Sequence, residues 1–215
     1  LTNPEICANL PVSKFDPQIV NTNSITDDSI YSITTINNVN GKKTSPKWLK
    51  DRLENSDIKS INLIVDITNY ILLEQGQPLH AFDKDKLSNL IGKTISQDDF
   101  GIREAKDGET LQGLDGNMYN LNKDTTVITC LDKPIAIAGV IGGMESSVSD
   151  STTSIFLEAA VFNPTSIRKS SREIGLRTES SSRFEKGISN KNTVTAVKRA
   201  IKLFNQFFNI SDQMT

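Results

Sequence analysis

The sequence predicts a single compact α+β domain in which mixed sheets and hairpins pack against a few helices. Three features point that way. Strand-like β-branched runs stand at 30–39 and 154–162, apolar positions recur at helical spacing through 60–76 and 194–208, and Asp-Gly turn signals punctuate 91–130. With 215 residues the chain makes one large domain or two small ones. At that length roughly 70% of the unfolded surface can be buried, so a core forms without staples.

Taken in order, residues 1–25 form a lead-in whose structure depends on Phe15, Ile19 and Val20 packing against the body, and the domain proper runs from 26 to 210. Ile30 to Val39 suits a strand bounded by Asp and Gly. Ser45 as a cap and Pro46 at the first helical position open a short helix carrying Trp48, Leu49 and Leu53. The 60–76 run is too long for a typical strand and meets a stop at Gly76 and Pro78, which predicts a helix. Asp107-Gly108 and Leu114-Asp115-Gly116-Asn117 make 91–130 a set of hairpins, and 126–141 and 154–162 read as buried strands. Asn163-Pro164 starts another helix through Ile167 towards Ile174. Val194, Val197, Ile201, Phe204 and Phe208 step by three and four along the last one.

Composition narrows the function. The 24 basic and 26 acidic side chains leave a net charge of −2, which excludes a generally cationic nucleic-acid binder and makes any RNA contact local. Cys7 and Cys130 lack metal-ligand spacing and read as ordinary thiols in a reducing compartment. No apolar run approaches the roughly 20 residues of a spanning helix, and the first residues lack a signal-peptide core, so a soluble, cytoplasmic protein without a membrane partner is expected. Beginning at Leu1, the chain looks like a piece of something longer.

Glu158 falls on a strand face with Phe156 and Ala160, where an unpaired carboxylate is costly. It needs either an internal ion-pair partner or a ligand that supplies a donor. His80, the only histidine, follows a helix end and can be aimed into a cleft, or serve as a satisfied structural residue. A catalytic triad or zinc site has no second histidine or cysteine pair to build on. Thr68 and Asn69 interrupt an apolar helix, either for backbone bonding or for a site. Ala138, Gly139, Gly142 and Gly143 bring backbone close to something, whether a packed strand or a ligand. Arg168, Lys169, Arg172, Arg177, Arg183 and Lys186 against Glu173, Glu179 and Glu185 give a local balance of +3, a solvated face or a phosphate contact.

Together I-N-L-I-V-D-I-T-N-Y, E-Q-G-Q-P-L-H-A-F-D, K-P-I-A-I-A-G-V-I-G-G, F-L-E-A-A-V-F-N-P and R-T-E-S-S-S-R-F-E-K-G resemble, in order, the editing module of the bacterial phenylalanyl-tRNA synthetase beta chain, its B-three/B-four region. The resemblance spans about 45 to 205 and implies hydrolysis of tyrosine wrongly attached to phenylalanine tRNA. It places His80, Asn69 and Thr68 near the ester, with Ala138, Gly139 and Gly142 as the pocket wall. It makes Glu158 the reader of the tyrosine hydroxyl, and sets Thr178 and Ser180 at the amino-acid end, Ser180 standing where the family usually has alanine. Arg168, Lys169, Arg172 and Arg183 become RNA-contact candidates for the tRNA(Phe) acceptor end. The same resemblance implies no metal or cofactor in this domain, ATP and Mg in the whole synthetase, and an alpha chain completing an alpha2 beta2 heterotetramer. A non-catalytic tRNA-binding or scaffolding module of that synthetase is the competing expectation.

Overall fold

A computed structural model describes residues 30–210. Cys7 and the lead-in around Phe15, Ile19 and Val20 lie outside the described residues. The chain enters on strand β1 (Ile30–Asn37), as its β-branched run predicts. Helix α1 (Lys47–Glu54) follows, but Pro46 occupies the cap position in extended conformation and Ser45 caps nothing. The Ser45 hydroxyl instead donates to Asp66 at 2.5 Å. A bond to a buried carboxylate outweighs one to a helix-end amide, and that reverses the expected role of Ser45.

Helix α2 (Leu63–Gln75) begins on Asn62, whose side chain accepts from the Val65 N–H, and ends at Gly76 in the left-handed region. Strand β2 (Leu79–Asp83) carries His80, so the histidine expected just past a helix end stands on a strand. Helix α3 (Lys84–Ile91), capped by Asp83, was not anticipated. Strands β3 (Phe100–Glu104), β4 (Thr110–Gln112), β5 (Met118–Asn120) and β6 (Thr126–Cys130) fill the expected hairpin region. Only β4–β5 is a local hairpin there, since β3 pairs with β6 across it.

The stretch 126–141 is not one strand. Leu131 and Asp132 both adopt positive φ, 46° and 69°, and fold the chain back into β7 (Lys133–Ile137), followed by β8 (Ile141–Gly142). Strand β9 (Ser154–Val161) comes next. Helices α4 (Pro164–Glu173), with its Asn163 cap, α5 (Glu179–Phe184) and α6 (Asn190–Phe208) complete the described chain.

These elements form an α+β domain with three antiparallel sheets, ordered β1-β9-β2, β3-β6-β7-β8 and β4-β5. The first sheet separates two apolar clusters. Ile155, Leu157, Ala159 and Ala81 face the helical side, with Ile64, Ile67 and Ile71 of α2 and Val197, Ala200 and Phe204 of α6. Ile33, Phe82, Phe156 and Ala160 face Val127, Ile128, Ala136 and Ile137 of the four-stranded sheet. Because β9 is central and buried on both faces, nearly every side chain along it is apolar. Ser154 at its half-buried start and Glu158 in its middle are the exceptions.

Candidate functional site

Strand alternation puts Glu158 on the same face of β9 as Phe156 and Ala160, and the register sets it directly opposite His80 on β2 and Ile33 on β1. Glu158 is 6% exposed and, among the described residues, makes no hydrogen bond or ion pair. His80 is half-buried, yet its Nε2 is enclosed and has no partner. The imidazole stands edge-on to Phe82, ring centres 4.5 Å apart. Buried Gln77 holds the start of β2 by donating to the Ala160 carbonyl at 2.9 Å and accepting from Thr193 on α6 at 3.0 Å.

Both groups front a cavity of about 60 Å³ that Gly139, Gly142, Ser180 and Phe184 also line. Its wall requires glycine. A Cβ on Gly142 would stand 2.5 Å from His80 Cε1 and 2.7 Å from Nε2, so the imidazole can lie against β8 only because no side chain is there. Gly139 turns the chain at φ 65°, and a Cβ would meet Phe184 at 2.9 Å and Ile167 at 3.0 Å. Thr178 caps α5 by accepting from Ser181, and its hydroxyl donates to the Val140 carbonyl at 2.9 Å. That bond fastens α5, and with it Ser180 and Phe184, to the turn that carries Gly139. A larger cavity of about 340 Å³, beside Lys133, Glu145 and Met118, contains no enclosed polar atom lacking a partner.

The electrostatics follow from burial. Desolvation pushes the Glu158 carboxyl up to about 8 and the His80 imidazole down to about 4. Near neutral pH both are uncharged. A protonated carboxyl can donate as well as accept, and a neutral imidazole offers one free lone pair. The site can therefore exchange hydrogen bonds with a hydroxyl without taking up a net charge.

Of the residues singled out from sequence, the structure brings together His80, Glu158, Gly139, Gly142 and Ser180. Ala138 is fully buried beside this wall, and Thr178 supports it from behind the cap of α5; neither lines the cavity. Thr68 and Asn69 sit on α2, also outside the lining, and the Thr68 hydroxyl is spent on the Val65 carbonyl at 2.7 Å. Arg168, Lys169, Arg172, Arg177 and Lys186 are exposed, while Arg183 pairs with Glu179 at 3.1 Å. Sequence reasoning missed Phe184 and Ile137 of the lining, and the only signal for them was their apolar character. Among the described residues no group of His, Cys, Asp and Glu could hold a metal ion, and no helix is long and apolar enough to cross a membrane. Cys130 is buried and, among the described residues, forms no disulfide.

These elements define an α+β domain whose central antiparallel sheet presents a buried acid and an imidazole to a small glycine-walled cavity. The chain belongs to the B3/4 domain family, whose model matches residues 28–209. It is similar to the phenylalanine–tRNA ligase beta subunit of Prochlorococcus marinus strain MIT 9312, 66% identical over 87% of this chain and 23% of that protein. The subunit of the same name from Synechococcus sp. strain CC9605 is 45% identical over 94% of this chain and 25% of its own length. The chain thus spans about a quarter of the curated relatives it matches. A solved N-terminal fragment of the phenylalanyl-tRNA synthetase beta-subunit from Pyrococcus horikoshii aligns over 68% of this chain and 45% of its own, at 13% identity and a TM-score of 0.39.

Proposed function

We propose that this domain is the proofreading part of a phenylalanyl-tRNA synthetase beta subunit and hydrolyses the ester joining tyrosine to phenylalanine tRNA. The observation that carries the reading is Glu158, a buried acid without a partner among the described residues, facing a cavity beside the lone imidazole. A synthetic site built for phenylalanine rejects an added hydroxyl by only about 100-fold, so a second site must recognise what the first lets through. Tyrosine gives the Glu158 carboxyl its hydrogen-bond partner. Phenylalanine fills the same space and leaves that carboxyl dry, at a cost of about 1–3 kcal/mol, and is spared.

In the hydrolytic step water attacks the ester carbonyl carbon, the bond from that carbon to the terminal ribose oxygen breaks, and the ribose oxygen takes the proton, releasing tyrosine and free tRNA. His80, neutral and with its Nε2 unpaired, orients the ester and the water. The backbone N–H groups of Gly139 and Gly142 are the ones this reading assigns to the developing oxyanion, since those of Ala138, Val140 and Gly143 donate to the carbonyls of Thr126, Ile137 and Ile135. Asn69 and Thr68, which stand on α2 outside the cavity lining, have in this reading the part of meeting the terminal adenosine. Exposed Arg168, Lys169 and Arg172 on α4, which packs on α5, contact phosphates of the acceptor end, joined by Arg183. In the whole synthetase an alpha chain, ATP and Mg complete the aminoacylating machinery in the cytoplasm, and the domain itself works without a cofactor.

The test is deacylation of tyrosine-charged phenylalanine tRNA by this chain and by the full-length subunit in its synthetase. The tyrosyl ester is expected to be cleaved in preference to the phenylalanyl ester, and Glu158→Gln should lower that rate tenfold or more (~1.4 kcal/mol) with the thermal midpoint preserved. His80→Ala should slow cleavage as well. Equal loss of fold and activity in Glu158→Gln, or no cleavage by the full synthetase, overturns the reading in favour of a tRNA-binding scaffold.

A further inference from the structure

A third polar group lies on the same sheet face and plays no part in the account above. Tyr31 on β1 is 1% exposed, and its phenolic oxygen is enclosed with no hydrogen-bond partner among the described residues. The register sets Ile33 opposite Glu158 and Tyr31 opposite Ala160, so Tyr31 stands one diagonal step from the acid, a separation that a long aromatic side chain can span. Tyr31 does not line the cavity, which places it behind Glu158 with the cavity in front. Around the two stand Ile33, Phe82, Phe156 and Ala160, none of which can hydrogen-bond through its side chain.

An enclosed donor without an acceptor thus sits one diagonal step from an acceptor that faces the cavity and, among the described residues, has no protein donor. Leaving the Tyr31 hydroxyl unpaired costs about 1–3 kcal/mol, and one movement of the Glu158 carboxyl satisfies it. Burial pushes the Tyr31 phenol well above its usual range, and the negative charge of an ionised Glu158 pushes it the same way. The other titratable groups facing them are His80 from β2 and Cys130 from β6, whose thiol is pushed up to about 11 by burial. Neither supplies a cation at neutral pH.

The geometry points to Tyr31 as the positioning residue for Glu158: when the carboxyl ionises or takes a phenolic ligand, the Tyr31 hydroxyl donates to one carboxylate oxygen and holds the other towards the cavity. The ligand half of this statement rests on the proofreading reading. The ionisation half does not. Tyr31 touches no substrate, and its effect passes entirely through Glu158.

The experiment titrates Glu158 in this chain by carbon-13 NMR of the glutamate carboxyls, with Glu158→Gln as the assignment control. Tyr31→Phe removes a donor to the anion and should raise the Glu158 midpoint by about one pH unit. It should also weaken tyrosine binding by about tenfold while leaving phenylalanine binding unchanged. An unchanged midpoint overturns the proposal. If the midpoint moves but the unmodified chain binds tyrosine and phenylalanine alike, the positioning role stands and proofreading falls. If the unmodified chain prefers tyrosine and Tyr31→Phe alters neither quantity, the reverse holds. Should Tyr31→Phe fail to fold, fluorine NMR of the 3-fluorotyrosine-labelled chain, assigned with Tyr70→Phe and Tyr119→Phe, replaces it. The Tyr31 resonance should then shift with the Glu158 midpoint, and a flat response across that pH range refutes the role.

Discussion

Asp66 and Glu158 are both buried acids, and their surroundings could hardly differ more. Asp66 is 0% exposed and takes hydrogen bonds from the Ser45 hydroxyl, the Ser60 hydroxyl and the Ile61 N–H, at 2.5, 2.5 and 2.9 Å. Those three donors tie the segment before α2 to the helix itself. Glu158, at 6% exposure, has no donor among the described residues. The first acid is stabilising because its partners are built in. The second has no partner built in among the described residues and stands beside an imidazole with an enclosed Nε2 and a glycine-lined cavity, the contrast on which the proofreading proposal rests.

That contrast can be broken by mutation. The largest effect is expected from Asp66→Ala, which leaves two hydroxyls and an amide dry and should cost about 3–5 kcal/mol in urea unfolding. Glu158→Gln at pH 6 should stay within about 1 kcal/mol of the unmodified chain. Equal losses would mean that Glu158 has a structural partner after all. Next comes Gly142→Ala, whose methyl must displace the His80 ring and should cost about 2–3 kcal/mol, read as a lowered thermal midpoint together with lost tyrosyl-ester cleavage. An unperturbed midpoint would show that the imidazole has room to retreat.

The third test is pH. The folded-state value of Glu158 lies above its ordinary 4.5, so between there and about 8 the folded chain holds a proton that the unfolded chain has released. Its contribution is full below that window and is lost as pH rises through it. His80 works in the opposite sense, since its folded value near 4 lies below 6.5 and its contribution is lost as pH falls through that interval. Glu158→Gln should therefore gain about 1–2 kcal/mol over the unmodified chain at pH 9 and nothing at pH 4, measured by thermal unfolding at both. The smallest effect belongs to Ser45→Ala, which strips one of three donors from Asp66 and should cost about 1 kcal/mol. A loss as large as that of Asp66→Ala would show that the carboxylate depends on a single bond.

Much of this could be read from the sequence, for reasons that differ by residue. Alternation along S-I-F-L-E-A-A was enough to bury Glu158, because a central strand leaves a polar side chain no exposed face. Helix α4 was announced by Asn163-Pro164 and α6 by its apolar stripe. The turn at Leu131-Asp132 was hidden, since two non-glycine residues at positive φ carry no compositional signal, and the run 126–141 read as continuous. Ser45 looked like a cap because its competitor, Asp66, lies far along the chain. The juxtaposition of His80 with Glu158, and of Tyr31 with Glu158, depends on strand pairing between distant segments, which local pattern does not encode. Thr68 and Asn69 show the complementary limit: a matching motif gave their identity, while the helix that carries them sets them outside the cavity lining.

The order of β1, β9 and β2 in their sheet has a consequence for biosynthesis. The central strand is the last of the three to leave the ribosome, so the early pieces must wait, unpaired at their inner edges, until it arrives to bridge them. Closing such long loops is slow, and folding limited by that step exposes the nascent domain to misassembly for longer than a hairpin-first topology would.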